Sequence, residues 1–354
     1  MLNSDEALQE RRNDYDVTNT VNVSSPRRVR AAVLDLFASL YPSSSFDGVW
    51  LAFHDFERYY GGFDPEYHAI DTSYHDMQHS LDVTLALVRL IAGFEATVPE
   101  RSRLGPERAT FALVASLFHD SGYLRHRVRD VDVANGAEFT RTHVTRSGLF
   151  LERYLERVGL ERFTPVVSRV VHFTGYEIAL DKIELDDPKD VAVGHLLGTA
   201  DLVAQLADRC YLEKCRDRLY PEFVLGGIAL ESTRNGVRYR SGRDLLEQTL
   251  GFYRSSVHLR LERGFNGAYR YFEPFFGGEQ NPYVMFIRKN ITFLLRVRER
   301  GEWHKLRRRP PCVIPDPYGE ARLMALALKR LRERTEAERA RRRIRERHVP
   351  VVGG

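Results

Sequence analysis

The sequence predicts an all-α protein, and three observations carry that prediction. Apolar residues recur at three- and four-residue spacing through most of the chain, the period of one helix face. The stretches between these runs are marked by Pro, Gly, Asp and Ser, which punctuate helices. Only one stretch, Thr233-Arg-Asn235-Gly236-Val237, reads as a β-hairpin.

Taken in order, residues 1–27 are rich in Asn, Asp, Ser and Arg and read as a loose polar arm. Ser24-Ser25-Pro26 is a helix start, with Val29, Ala32, Val33, Leu36 and Phe37 following at helical spacing. A second helix covers Val49 to Tyr60 and is stopped by Gly61-Gly62-Phe63-Asp64-Pro65. A third opens at Tyr74-His75-Asp76-Met77-Gln78-His79 and continues to about Gly93. Gly105-Pro106 precedes a fourth, whose apolar run from Phe111 to Phe118 delivers His119 and Asp120 to a turn containing Gly122. Asn135 to Val158 reads as one long helix carrying His143, and Thr164-Pro165 begins another that ends in Val170-Val171-His172. After Asp186-Asp187-Pro188, a helix from about Lys189 to Cys215 carries Asp201 in an apolar setting. Helical patterns return from Arg243 to Glu262 and from Asn281 to Arg300. The proline-containing stretch Arg309 to Pro317 reads as a linker, and Glu320 to Arg347 as a last helix with an Arg/Glu-rich end.

With 43% hydrophobic residues in 354, the chain can bury a large core. No uninterrupted apolar run reaches the roughly 18 residues of a membrane span. The nearest, Val191 to Ala207, contains His195 and Asp201. Met1 to Arg30 has charges throughout, unlike a secretory signal. Cys210, Cys215 and Cys312 form neither a disulfide framework nor a zinc-ligand spacing. A cytoplasmic protein without a membrane partner is therefore the expectation. Net charge is only +4, and the basic stretch Arg339 to Arg347 is set among Glu333, Glu336, Glu338 and Glu346. An exposed helix with i,i+4 pairs, which also serves to dock a homo-oligomer, is the simpler expectation there than a nucleic-acid partner.

Six ionisable residues stand in otherwise apolar helical stretches: His79, His119, Asp120, His143, His172 and Asp201. Any one of them fits a buried, hydrogen-bonded role. Together they point to a cation, because a buried carboxylate without a partner is costly. Four imidazoles and two carboxylates suit one or two divalent ions such as Mn, Fe, Zn or Ni, or a mixed site with Mg. His75 and His79 lie four apart and share a helix face, as do His79 and Asp82 at three apart.

In this ordered set, over about residues 70 to 220, the chain resembles the HD-domain superfamily of metal-dependent phosphohydrolases. The resemblance implies an HD-type helical bundle over 28–265, between the arm at 1–27 and a helical C-terminal extension over 266–354. It implies metal ligation by His79, His119, Asp120, His143, His172 and Asp201. The first motif, from Tyr74 to Val83, is also similar to the Tyr-His-Asn-x-x-His-x-x-Asp-Val segment of class I cyclic-nucleotide phosphodiesterases. Carried over, that makes His75 the general acid, His79 a ligand and Asp82 an orienting partner behind it, with Asp120 part of the catalytic centre. The chain departs from that class at Asp76, where the motif has Asn, and at Ser121-Gly122-Tyr123 after the His-Asp pair.

The function so implied is metal-dependent hydrolysis of a phosphoester, foremost a nucleotide phosphodiester, by a metal-activated hydroxide. A nucleotide phosphomonoesterase, a non-catalytic nucleotide-binding regulatory protein and a di-iron HD oxygenase fit the same residues. Arg125, Arg127 and Arg146 are candidates to neutralise a substrate phosphate. The aromatic residues Tyr269, Tyr271, Phe272, Phe275 and Phe276 suit either a core or a nucleobase stack.

Overall fold

Helix follows helix along the chain, as the apolar periodicity requires. The computed structural model describes residues 11–347 apart from 235, 279 and 312, with side chains as far as 340. Its α-helices are α1 (Pro26–Leu40), α2 (Asp47–Tyr60), α3 (Met77–Thr97), α4 (Gly105–Phe118), α5 (His143–Tyr154), α6 (Thr164–Val171) and α7 (Pro188–Ala207). These are followed by α8 (Tyr211–Lys214), α9 (Tyr220–Leu225), α10 (Gly242–Phe252), α11 (Phe272–Phe275), α12 (Pro282–Arg300) and α13 (Gly319–Arg347). The expected hairpin pairs Ser232 with Val237 and Thr233 with Gly236, and it is the one sheet among the described residues; Asn235 at its tip lies outside them. No helix is long and apolar enough to cross a membrane among the described residues.

The centre of the packing is α3, in which every residue from Gln78 to Ile91 is buried. A helix apolar on all sides can only sit inside, and α1, α4 and α7 pack around this one. Its few polar residues, among them His79, Asp82 and Arg89, must therefore find partners in the interior. Asp76 caps the helix by accepting a hydrogen bond from the His79 backbone N–H at 3.0 Å. The cap thus fixes the backbone of a candidate ligand. Elsewhere the boundaries follow the same local chemistry: Asp187 accepts from the Lys189 N–H ahead of Pro188, and Asn281 caps α12 ahead of Pro282.

Two expected helices are broken. Between 135 and 158, Asn135 and Glu138 form a reciprocal capping box around a short 3₁₀ turn, and α5 starts afresh at His143. Between 189 and 215, the Asp208 carboxylate accepts from the Cys210 N–H at 2.6 Å and from Lys214 Nζ at 2.5 Å, turning the chain after Ala207. The pattern from 243 to 262 is helical but widens into π turns at Tyr253–Val257 and Arg260–Gly264.

The N-terminal segment is docked from Arg11 onward, where a loose arm was expected. Val17 and Val23 are in the core, Arg11 donates to the Ala207 carbonyl, and Arg89 of α3 pairs with the fully buried Asp16 at 2.7 Å. Nor does a seam fall at 265/266. Phe265, Phe272, Tyr283, Ile287, Leu294 and Val297 belong to the same hydrophobic cluster as α3 and α4. The last helix packs separately, with Leu323 and Ala327 against Val224 and Leu225 of α9.

Candidate metal centre

Four side chains converge where α3, α4 and α7 meet. His79 comes from the first turn of α3, His119 and Asp120 from the end of α4, and Asp201 from the middle of α7. His79 Nε2 stands 3.3 Å from His119 Nε2, 3.4 Å from Asp120 Oδ2 and 3.2 Å from Asp201 Oδ1. His119 Nε2 is 3.3 Å from Asp120 Oδ2 and 3.9 Å from Asp201 Oδ1. All four residues are buried.

These spacings have a simple meaning. Ligand atoms about 2.1 Å from one ion lie roughly 3.0–3.4 Å apart when adjacent and about 4.2 Å apart when opposite. Most observed distances fall in the first range and one approaches the second. His119 Nδ1 lies 2.8 Å from the Ser116 carbonyl oxygen, which can only accept, so the neutral ring keeps its proton there and leaves the Nε2 lone pair free. Asp120 Oδ2 is buried without a hydrogen-bond partner. His79, His119 and Asp120 thus form a buried group able to hold a metal ion, and Asp201 stands beside it.

The electrostatics agree. Burial alone would raise the pKa of Asp120, but His119, His75, His79 and His143 hold it well below the usual carboxylate range. Burial would lower His79, and the Asp201 and Asp120 carboxylates override it. His143 is on the other oxygen of Asp120, with Nε2 3.7 Å from Oδ1, and its Nδ1 donates to the Thr140 carbonyl at 2.9 Å. Burial keeps its pKa below the ordinary value, so the ring favours the neutral, ligand-ready form. The break ahead of α5 is what brings this ring to the site.

Comparisons with protein-family models, with curated proteins and with solved structures find no match. What the site can do is therefore read from its own geometry.

His75 lies just outside the four donors and is held by a residue that sequence reasoning missed. Glu222 of α9, fully buried, accepts from His75 Nδ1 at 2.6 Å and from the Tyr74 N–H at 2.5 Å. Burial would lower the His75 pKa, but the Glu222 carboxylate raises it to about 9. Tyr123 stacks against both His75 and His143, at centroid distances of 4.6 and 4.5 Å, and those two rings lie 5.8 Å from each other. The turn bearing Tyr123 needs Gly122, because a Cβ there would collide with the His143 carbonyl. Gln205 braces the remaining side, donating to Asp201 Oδ1 and accepting from the Tyr74 hydroxyl. Glu222 stands amid Tyr220-Pro-Glu-Phe-Val-Leu225, an acid in an apolar run, the signal that marked the other site residues.

Other expected residues go elsewhere. His172 is buried at the end of α6 but is not among the side chains brought together at the cluster; burial lowers its pKa, and Nδ1 has no hydrogen-bond partner. Asp82 makes no hydrogen bond to His79, and its electrostatic neighbours are Asp208, Arg11, Asp16 and Lys214. Arg125 is engaged by Asp71 and the Val133 carbonyl, and Arg146 by the Gly122 and Leu124 carbonyls and Asp130. Arg127 is paired loosely with His68 at 3.4 Å. These three arginines hold loops together and line none of the cavity over the cluster. Phe265, Phe272 and Tyr283 are core residues.

That cavity has a volume of about 460 Å³ and contains His75, His79, Asp120, His143 and Asp201. Its remaining lining mixes aromatic side chains, Tyr176, Phe223, Tyr239 and Phe252, with the polar Glu177, Gln205 and Gln248, and includes Arg141 and Arg238. Glu231 joins those two arginines, at 2.7 Å to Arg141 and 2.8 Å to Arg238. The combination suits a ligand with one anionic end and one flat, apolar end. A larger concavity of about 800 Å³ along α12 contains none of the candidate ligands.

Proposed function

We propose that the protein is a metal-dependent phosphoester hydrolase, acting foremost on a nucleotide phosphodiester. The observation that carries this reading is the convergence of His79, His119, Asp120 and Asp201 at ligand spacing around a carboxylate oxygen that lacks any hydrogen bond. Two buried carboxylates at this spacing need positive charge between them, which a proton on His79 supplies in part and a divalent ion would supply in full. A divalent ion bound there would supply Lewis-acid chemistry, polarising a phosphoryl oxygen and acidifying water.

The chain's own residues account for the rest. His75 carries a proton because Glu222 stabilises the imidazolium, and with Nδ1 taken by that carboxylate, Nε2 is the atom left to give a proton to a departing alkoxide. Tyr123 packs flat against both the His75 and the His143 ring and so holds their orientations. Tyr239, Phe223 and Phe252 line the cavity with flat apolar surface suited to a nucleobase, and Arg141 and Arg238, which share the single carboxylate of Glu231, leave one positive charge in surplus for a phosphate.

Elemental analysis of protein purified without chelator, with the Asp120→Ala variant alongside, is the first test. Bound transition metal that is lost in the variant, together with hydrolysis of bis(p-nitrophenyl) phosphate or a nucleotide diester lost in parallel, is the expected result. A metal-free wild type after reconstitution, or an Asp120→Ala variant with full activity, refutes the reading.

A further inference from the structure

We infer that a second, separate anion site lies behind the turn from Thr72 to His75, built for a phosphate-bearing ligand held by Ser73, Arg218 and the arginines 307–309. These residues line a cavity of about 520 Å³ that shares no residue with the cavity over the metal ligands. Two of the side chains that border it are buried and carry unsatisfied donors. Ser73 is 2% exposed and Arg218 5% exposed, and Ser73 Oγ and Arg218 Nη1 have no hydrogen-bond partner, as is also true of Asp76 Oδ2 and Glu320 Oε1 on the carboxylates beside Arg218. Unpaired buried donors are costly and rare, and a ligand that accepts from both removes the cost.

The charge count points to the ligand's sign. Five arginines and two carboxylates line the cavity, a surplus of three positive charges, or two once Asp76 behind Arg218 is included. Both lining carboxylates are already engaged: Asp217 by Arg216 at 2.6 and 2.7 Å, and Glu320 by Arg218 Nη2 at 2.6 Å. Asp76 Oδ2 remains 3.7 Å from Arg218 Nη1, beyond a hydrogen bond. Arg307 and Arg309 make no ion pair among the described residues, and the Arg308 side chain donates to the Arg209 carbonyl at 2.6 Å. A lone carboxylate ligand would leave charge uncancelled. A phosphoryl group carries more charge and offers several acceptor oxygens to guanidinium and hydroxyl donors.

The position of the site gives it a consequence. Ser73 belongs to the turn that Thr72 closes by donating to the His75 carbonyl at 2.7 Å. Arg218 lies in the π turn Cys215–Leu219 that runs into α9, whose Glu222 holds the His75 ring. A ligand bridging Ser73 and Arg218 therefore grips, from behind, both segments that form the His75–Glu222 pair. Occupancy of the site stands without the metal reading; an effect on turnover rests on it.

The test is isothermal titration of pyrophosphate into the full chain, stripped of metal with a chelator that is then removed. One saturable site is expected. The double variant Arg307→Glu/Arg309→Glu changes exposed side chains, and should weaken binding at least about tenfold, since it turns two favourable charges unfavourable. Ser73→Ala should weaken it less, and Asp120→Ala should leave it unchanged. Absence of saturable binding, wild-type affinity in the double variant, or loss of binding in Asp120→Ala each overturns the inference. ADP in place of pyrophosphate identifies the source of the phosphate: tighter binding assigns the site to nucleotides, equal or weaker binding to inorganic phosphates, and either supports the site only if the double variant loses it.

Discussion

Replacing Asp16 by Asn tests whether the N-terminal segment is part of the fold. The carboxylate is fully buried and takes five hydrogen bonds. Oδ2 accepts from Arg89 Nη2 at 2.7 Å, from the Thr18 N–H at 3.1 Å and from the Thr18 hydroxyl at 2.6 Å. Oδ1 accepts from the Thr20 and Val21 N–H groups, each at 2.9 Å. With the amide oxygen in place of Oδ1, the Asn NH₂ would face three donors and leave the Arg89 guanidinium buried without its counter-ion. Breaking a buried pair in this way costs about 3–5 kcal/mol. Detachment of residues 11–25 as a unit would cap the cost, because the chain can give up the docking free energy instead. Urea unfolding measures the total, and hydrogen exchange at the Val21 and Val23 amides separates the two routes. Adding Arg89→Met should recover part of the loss, since the stranded charge is then gone. A loss below about 1 kcal/mol, the level of an exposed ion pair, would refute the argument.

Four further outcomes are expected. Glu222→Gln should retain bound metal but lower kcat about 10²–10³-fold for an alkoxide leaving group, and much less for p-nitrophenolate, which needs no general acid; an equal loss for both would remove His75 from that role. Burial, then the Asp208 charge, raise the Asp82 pKa from 3.8 to about 7. The folded chain therefore holds a proton that the unfolded chain releases, and this stability is full below about pH 4 and lost as pH rises through 7, on the order of 1.4 kcal/mol per unit. Asp82→Asn should abolish that slope, which unfolding at pH 5 and pH 8 would register. Gly122→Ala should destabilise the fold by about 1–3 kcal/mol through the clash with the His143 carbonyl, read as a lower melting temperature. Arg141→Ala should raise KM for a phosphodiester, whereas Arg127→Ala should leave it unchanged, a contrast that steady-state kinetics resolves.

The helices were legible because burial imposes a period on sequence: α1, α4 and α12 start within about two residues of their Pro, Gly and Asn signals, and α2 ends at its Gly61-Gly62 stop. The breaks before His143 and after Ala207 were not legible, because each depends on a side chain capping backbone that a periodic pattern treats as continuous. The same is true of the N-terminal segment. Its Asp, Asn and Thr residues look like solvated arm, yet Asp14, Asp16, Asn19 and Asn22 hydrogen-bond to groups of the segment itself. At the site, His79, His119, Asp120, Asp201 and His143 stood out as ionisable groups in apolar runs, and the structure brings them together. Arg125 and Arg127 follow the His-Asp pair closely in sequence and Arg146 follows His143, but closeness in sequence says little about direction. Arg141 and Arg238 reach the cavity from an intervening turn and from the hairpin, through contacts that only the tertiary fold creates.

The donors at positions 79, 119 and 201 are separated by loops of about 40 and about 80 residues, so an ion at their meeting point would act as a clasp on the chain. The unfolded chain has no such meeting point, and binding free energy would be added to folding free energy, about 4 kcal/mol at a thousandfold excess over Kd. Metal supply would then set the lifetime of the folded chain as well as its chemistry. A fragment ending before α7 would lack the Asp201 side of the clasp, and metal-dependent stabilisation would be lost with it.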